Sequence, residues 1–125
     1  MKKVLIVEDN PDLRLLTKNT LKIIKLEVIE ARDGLIGFNL AKEHRPDLII
    51  SDIDMPELNG FSLLNKLKKD SVTADIPFIF LTGQVDENSR DCAFQLGADS
   101  YISKPFKIED FLTVVALYLD LNINS

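Results

Sequence analysis

Side chains able to handle a phosphoryl group end a series of short apolar runs in this 125-residue sequence. Asp52 closes Asp47-Leu48-Ile49-Ile50-Ser51, and Asp54 lies two residues further on. Glu8 and Asp9 close Val4-Leu5-Ile6-Val7; Thr82 follows a run ending at Leu81; Lys104-Pro105 follows Ser100-Tyr101-Ile102-Ser103. If the runs are neighbouring strands, three carboxylates converge, which is costly unless a cation neutralises them. With no histidine or cysteine beside them, their oxygens select a hard cation such as Mg²⁺, which keeps several waters. Lysine supplies a point charge for phosphoryl oxygens, and a threonine hydroxyl can donate a hydrogen bond to one. Arranged around one carboxylate, these groups are what transfer of a phosphoryl group onto it requires, because such catalysis is mostly positioning and neutralisation. Asp52 would be the nucleophile and would form an acyl phosphate.

The elements that must hold these residues follow from the patterning. Strands are expected at Lys3-Val7, Glu27-Ala31, Asp47-Ser51, Ile76-Leu81 and Ser100-Ser103, with helices at about 11–24, 34–44, 61–69, 87–96 and 108–119. The boundaries carry their own signals. Asn10-Pro11 is a cap followed by the residue suited to a first helical turn, while Asp33-Gly34 and Asp86-Glu87 open later helices with an oxygen acceptor. Gly97 after Leu96 is a helix stop. Strict alternation of strand and helix implies a parallel sheet covered on both faces, with chemistry at the carboxyl ends of its strands. Leu13, Leu16, Leu21 and Ile24 are expected to turn the first helix towards the sheet; Ile108, Phe111, Leu112, Val115 and Leu119 do so for the last. The last helix has a second stripe, Val114, Leu117, Tyr118 and Leu121, which reads either as an end tucked under a neighbour or as a contact surface for a partner.

Length and composition bound the rest. One domain of this size can bury a real core, and 46% hydrophobic with 28% charged residues is ordinary for a globular protein. No apolar run approaches the roughly 18 residues needed to cross a bilayer. The start, Met1-Lys2-Lys3-Val4, enters a strand-like run without a cleavage-site pattern, and the single Cys92 fits a reducing compartment, so a cytoplasmic location is expected. A net charge of −5 argues against direct binding of nucleic acid. Cys92 reads as a small core hydrophobe, and His44, the only histidine, as a solvated surface residue; the phosphoryl donor must then be another molecule or domain.

Several segments, spread over nearly the whole length, carry a family resemblance. Val4-Leu5-Ile6-Val7-Glu8-Asp9-Asn10, Pro46 through Asp52, Met55-Pro56 through Gly60, Pro77 through Gly83, and Gly97 through Phe106 together resemble the receiver domain of two-component response regulators, the chemotaxis-regulator type included. The resemblance implies a flavodoxin-like α/β fold, five parallel strands in the order 2-1-3-4-5 with helices on both faces; the family is one illustration of that order among doubly wound folds. It implies a receiver domain over residues 1–121 and a C-terminal tail over 122–125. It implies that Asp52 accepts its group from the phosphohistidine of a sensor histidine kinase or a histidine phosphotransfer protein. Glu8, Asp9, Asp52 and the backbone carbonyl of Asp54 would hold Mg²⁺, and Thr82 and Lys104 would engage the phosphoryl oxygens. Tyr101 matches the switch aromatic, which rotates inward as Thr82 shifts, and Asp54 and Gln84 match variable positions that tune the site. Lys104-Pro105 is expected to be cis. The output would run through the last helix and the Tyr101 strand to a downstream protein or domain, or to a second copy of the chain, with the domain promoting its own phosphorylation and dephosphorylation rather than acting as a conventional enzyme.

Two other function classes share parts of this pattern. Asp52-Ile53-Asp54 is an Asp-x-Asp pair of the kind used by haloacid-dehalogenase-type phosphatases, but their pair follows the first strand and has Thr or Val where this chain has Pro56. A flavin or nucleotide carrier would need a Gly- or Ser/Thr-rich phosphate loop after the first strand, where Glu8-Asp9 would repel a phosphate instead. Within the receiver reading, the sequence suits both a stand-alone regulator and the N-terminal receiver of a longer protein.

Overall fold

A computed structural model describes residues 1–121; the expected tail at 122–125 lies outside the described residues. Ten elements alternate: β1 (Lys3–Val7), α1 (Pro11–Lys22), β2 (Glu27–Ala31), α2 (Gly34–His44), β3 (Leu48–Ser51), α3 (Gly60–Lys69), β4 (Phe78–Thr82), α4 (Glu87–Gln95), β5 (Ser100–Ser103) and α5 (Ile108–Leu119). The strands form one parallel sheet in the order β2-β1-β3-β4-β5. The expected flavodoxin-like fold is therefore the observed one.

Burial explains the strand sequences. The inner strands β3 and β4 are buried at every position, as continuous apolar runs require when helices cover both faces, while the edge strands β2 and β5 are partly open. Alternate residues of β1 divide between two cores. Leu5 and Val7 join Ile49, Phe78, Phe80 and the α3 leucines Leu63, Leu64 and Leu67 on one face. Val4 and Ile6 join Ile50, Ile79, Leu81, Leu21 of α1 and Phe111, Val115 and Leu119 of α5 on the other.

The caps form where the sequence places them: Asn10 accepts from the Asp12 and Leu13 amides, Asp33 from Ile36 and Asp86 from Ser89. Boundaries shift by one or two residues for physical reasons. β3 starts at Leu48, one residue later than expected; Asp47 before it is tied to Lys3 twice, its amide donating to the Lys3 carbonyl and its carboxylate accepting the Lys3 amide, each at 2.8 Å. β4 starts after Pro77, which has no amide hydrogen to offer a ladder, and runs on to Thr82. Past Lys22, α1 tightens into turns in which the Ile23, Ile24 and Lys25 amides each bond three residues back, and Lys25 takes a φ of 60°.

Two residues expected to face the sheet do not. Leu16 is 50% and Ile108 47% exposed. On α1 the buried stripe is completed by Thr17 and Thr20, whose hydroxyls donate to the Leu13 and Leu16 carbonyls and so can leave water satisfied. Ile108 is the first residue of its helix and stays at the rim. The second stripe of α5 resolves mostly as a tucked end: Val114, Tyr118 and Leu121 pack against the core, the Tyr118 hydroxyl donates to the Asp99 carbonyl at 2.7 Å, and Leu117 stands out at 73% exposure.

Candidate functional site

Parallel pairing brings the carboxyl ends of β1, β3, β4 and β5 to one edge, and the residues just beyond them form the site. Asp52 directly follows β3. Its amide donates to the Val7 carbonyl at 3.0 Å, which holds it beside β1, and its Oδ1 accepts the Ile53 amide at 2.7 Å. The loop after it is kept in register by Gly60, where any Cβ would overlap the Asp52 carbonyl oxygen and crowd the Phe80 ring. No side chain fits there.

Glu8, Asp9 and Asp52 each offer a carboxylate oxygen within 4.8 Å of the others, and they are the one such grouping among the described residues. Their environments differ. Glu8 is buried; its Oε1 accepts from Lys104 Nζ at 2.5 Å and its Oε2 from the Asn10 amide at 3.2 Å. Burial pushes the Glu8 carboxyl up from its ordinary value of 4.5, the bond and charge of Lys104 pull it down, and Asp52 raises it again. Asp9 is exposed and Asp52 half-buried. Lys104 Nζ lies 3.6 Å from Asp52 Oδ2, so a single ammonium serves both acids. It follows β5 directly, its amide donates to the Thr82 carbonyl at 2.8 Å, and the Lys104–Pro105 bond is cis.

The donor set fits a hard divalent cation. It consists of oxygens alone, and Asp9 and Asp52 Oδ2 keep lone pairs that no protein hydrogen bond takes among the described residues, as does the Asp54 carbonyl. Glu8 already has both oxygens engaged.

Thr82 ends β4 almost fully buried, and its Oγ1 accepts the Gln84 amide at 3.2 Å. Tyr101 is only 7% exposed: its ring points inward, lies 6.1 Å from that of Phe80, and its hydroxyl donates to the Gln84 carbonyl at 2.8 Å. Burial, then the nearby Asp86 charge, raise the Tyr101 hydroxyl above its ordinary 10.0. Asp54 and Gln84 touch directly, Gln84 Nε2 donating to Asp54 Oδ2 at 2.5 Å. All eight site residues singled out in the sequence thus lie along one edge. His44 ends α2 at the opposite edge of the sheet, and Cys92 is half-buried on α4.

Two contacts had no sequence signal. Arg14, one turn into α1, donates to the Glu8 carbonyl at 2.7 Å and pairs with Glu30 at 3.4 Å, fixing the acidic loop from behind. Ser89 in the first turn of α4 donates to Gln84 Oε1 at 2.9 Å. Beside the site an apolar groove of about 430 Å³ runs between α1 and the β5–α5 loop, lined by Leu13, Leu16, Phe106 and Ile108 and reaching Lys104.

Comparison with known proteins adds an independent line. Residues 4–116 match the family model for the response regulator receiver domain. The chain is 43% identical over 108 residues to histidine kinase P4 of Formosa agariphila, covering 86% of this chain and 8% of that protein. It is 37% identical over 118 residues to the polar-differentiation response regulator DivK of Brucella anthropi, covering 94% of this chain and 96% of DivK. The chain therefore spans only a small part of one relative and nearly all of another. Among solved structures, the receiver domain of the sensor histidine kinase PA1611 from Pseudomonas aeruginosa, which has a magnesium ion coordinated in its active-site cleft, superposes with a TM-score of 0.88 at 26% identity over 95% of this chain and 98% of that one.

Proposed function

The chain belongs to the response regulator receiver domain family of two-component signalling, and from that premise we propose that Asp52 is its phosphoacceptor. One observation carries the reading: three carboxylates converge at a sheet edge with the Lys104 ammonium 3.6 Å from Asp52. An Asp52 carboxylate oxygen attacks the phosphorus of a partner's phosphohistidine; the P–N bond breaks as the P–O bond forms, and the imidazole leaves with its electron pair. Lys104 neutralises the phosphoryl oxygens and the Thr82 hydroxyl donates to one of them. Mg²⁺, which Glu8, Asp9, Asp52 and the Asp54 carbonyl would hold, would supply the remaining positive charge. The PA1611 structure and the oxygen-only donor set support that cation.

Receiver domains work with histidine kinases, and the partner proposed here is a sensor histidine kinase or histidine phosphotransfer protein. The groove ending at Lys104 supports this, since an apolar helix resting in it would bring its own side chains to the acceptor. The new charge draws Thr82 and Lys104 towards the phosphoryl group, and the change passes through Gln84 and Tyr101 to α4, β5 and α5, where a downstream protein or domain, or a second copy, would read it. The domain spans residues 1–121, acts in the cytoplasm, and promotes its own phosphorylation and dephosphorylation without being a conventional enzyme. Among the described residues no helix is long and apolar enough to cross a membrane. The Asp-x-Asp pair gives no support to a phosphatase, for it follows β3 and the Asp54 carboxylate is tied to Gln84. Acetyl phosphate with Mg²⁺ should add one phosphoryl mass that Asp52→Ala abolishes; no addition, or addition to the variant, would overturn the reading.

A further inference from the structure

Ser89 lies outside the acceptor site on the first turn of α4, yet two hydrogen bonds join it to Asp54. Its hydroxyl donates to Gln84 Oε1, and Gln84 Nε2 donates to Asp54 Oδ2. Asp54 sets the direction of the Gln84 amide, and the Ser89 hydroxyl, which the Asp86 carboxylate also attracts, meets the Gln84 oxygen. A carboxylate only accepts, so Gln84 presents its nitrogen to Asp54 and its oxygen to Ser89. The Gln84 main chain is committed as well, its amide to Thr82 Oγ1 and its carbonyl to the Tyr101 hydroxyl. Ser89 is in turn fixed by its own amide, which donates to Asp86 Oδ2 at 2.9 Å. A rigid helix turn thus holds one end of a strap whose other end is the loop that follows the acceptor.

We propose that Ser89 is a positioning residue for loss of the phosphoryl group: through Gln84 it anchors the Asp54 carboxylate, closes the gap between the β3–α3 and β4–α4 loops, and so slows hydrolysis. The inference rests on Asp52 being the phosphoacceptor. Hydrolysis requires water to reach phosphorus opposite the Asp52 oxygen. The new O–P bond forms, the Asp52–phosphorus bond breaks, Asp52 returns as a carboxylate, and both water protons leave on the released dihydrogen phosphate. A strap that keeps the two loops together restricts that approach. Without the Ser89 hydroxyl, Gln84 loses the bond that fixes its amide and the loops separate more freely.

The test uses the full chain, phosphorylated by acetyl phosphate with Mg²⁺, freed of the donor and followed by intact mass. Ser89→Ala should shorten the half-life of the phosphorylated form about fivefold, the equivalent of one net hydrogen bond. Ser89→Thr, which keeps the hydroxyl, should restore it. In an Asp54→Ala background, where the strap is already cut, Ser89→Ala should change nothing further. A merely structural loosening of α4 would act by the same factor in both backgrounds, and that result, or an unchanged half-life in Ser89→Ala, overturns the proposal. Should Ser89→Ala fail to fold, Gln84→Leu cuts the same strap at its centre and must shorten the half-life likewise. Wild-type protein that takes up no phosphoryl group overturns the acceptor reading itself, and the role of Ser89 with it.

Discussion

Replacing Lys104 by methionine isolates what the ammonium does for the acidic cluster. In the folded protein its Nζ lies 2.5 Å from Glu8 and 3.6 Å from Asp52, with the Lys104 side chain 15% and the Glu8 side chain 6% exposed. Removing one member of a buried pair costs about 3–5 kcal/mol, since the other charge is left without compensation. Here Glu8 can escape by taking up a proton, so we expect a loss of about 2–4 kcal/mol at pH 7 in metal-free buffer. The pH dependence follows from the sign of the Glu8 shift. Burial already holds its carboxyl above the ordinary 4.5, and losing Lys104 removes the main opposing influence. The native variant then binds a proton more readily than the unfolded chain, so its stability rises as pH falls towards the ordinary value and drops as pH rises through the elevated one. Urea unfolding in EDTA at pH 7, 6 and 5, followed by circular dichroism because the chain has no tryptophan, reads this directly. The deficit should shrink by at least half by pH 5 (about 1–2 kcal/mol remaining), and Glu8→Gln in the same background should recover most of it. A deficit below about 1 kcal/mol at pH 7, or one that grows towards pH 5, would refute the reasoning.

Three further outcomes are expected. Gly60→Ala forces a methyl against the Asp52 carbonyl and Phe80, and should cost about 1–3 kcal/mol in urea unfolding while lowering labelling by acetyl phosphate. Asp99→Ala strips the Phe78 amide of the carboxylate it meets at 2.8 Å at the head of β4, a loss of about 1–2 kcal/mol measurable as a lower denaturation midpoint. The Asp70 carboxyl is held below its ordinary 3.8 by the hydrogen bond from Lys42 and then by the Val72 amide. Its small contribution is therefore present above that value and lost as pH falls below it, so Lys42→Ala should differ from wild type above pH 4 and converge with it in acid unfolding curves.

The order of elements and the gathering of polar side chains at one sheet edge are legible because periodicity and strand-end chemistry are local properties of the chain. Asp52, Glu8, Asp9, Thr82 and Lys104 each announce themselves by type and by position after an apolar run. What escaped is set by tertiary contact. Leu16 looked like a core residue because a leucine at helical spacing says nothing about threonines that bury themselves by bonding back along their own helix. Tyr118 belonged to an ambiguous stripe until its hydroxyl found the Asp99 carbonyl, a partner on another loop. Gln84 drew attention by position alone; its link to Ser89 depends on the N-cap at Asp86 turning α4 so that one hydroxyl faces the loop.

The Glu8–Lys104 bond joins residues 96 positions apart, and everything between them must be threaded into the sheet before it can form. Closing so long a loop is entropically unfavourable until the intervening contacts repay it, so the bond belongs to the late stages of folding. During synthesis the acceptor emerges well before its lysine. A nascent or half-folded chain can display Asp52 but cannot neutralise a phosphoryl group there. On the proposed acceptor role of Asp52, competence to signal would be tied to complete folding, and the edge would act as a check that the chain performs on itself.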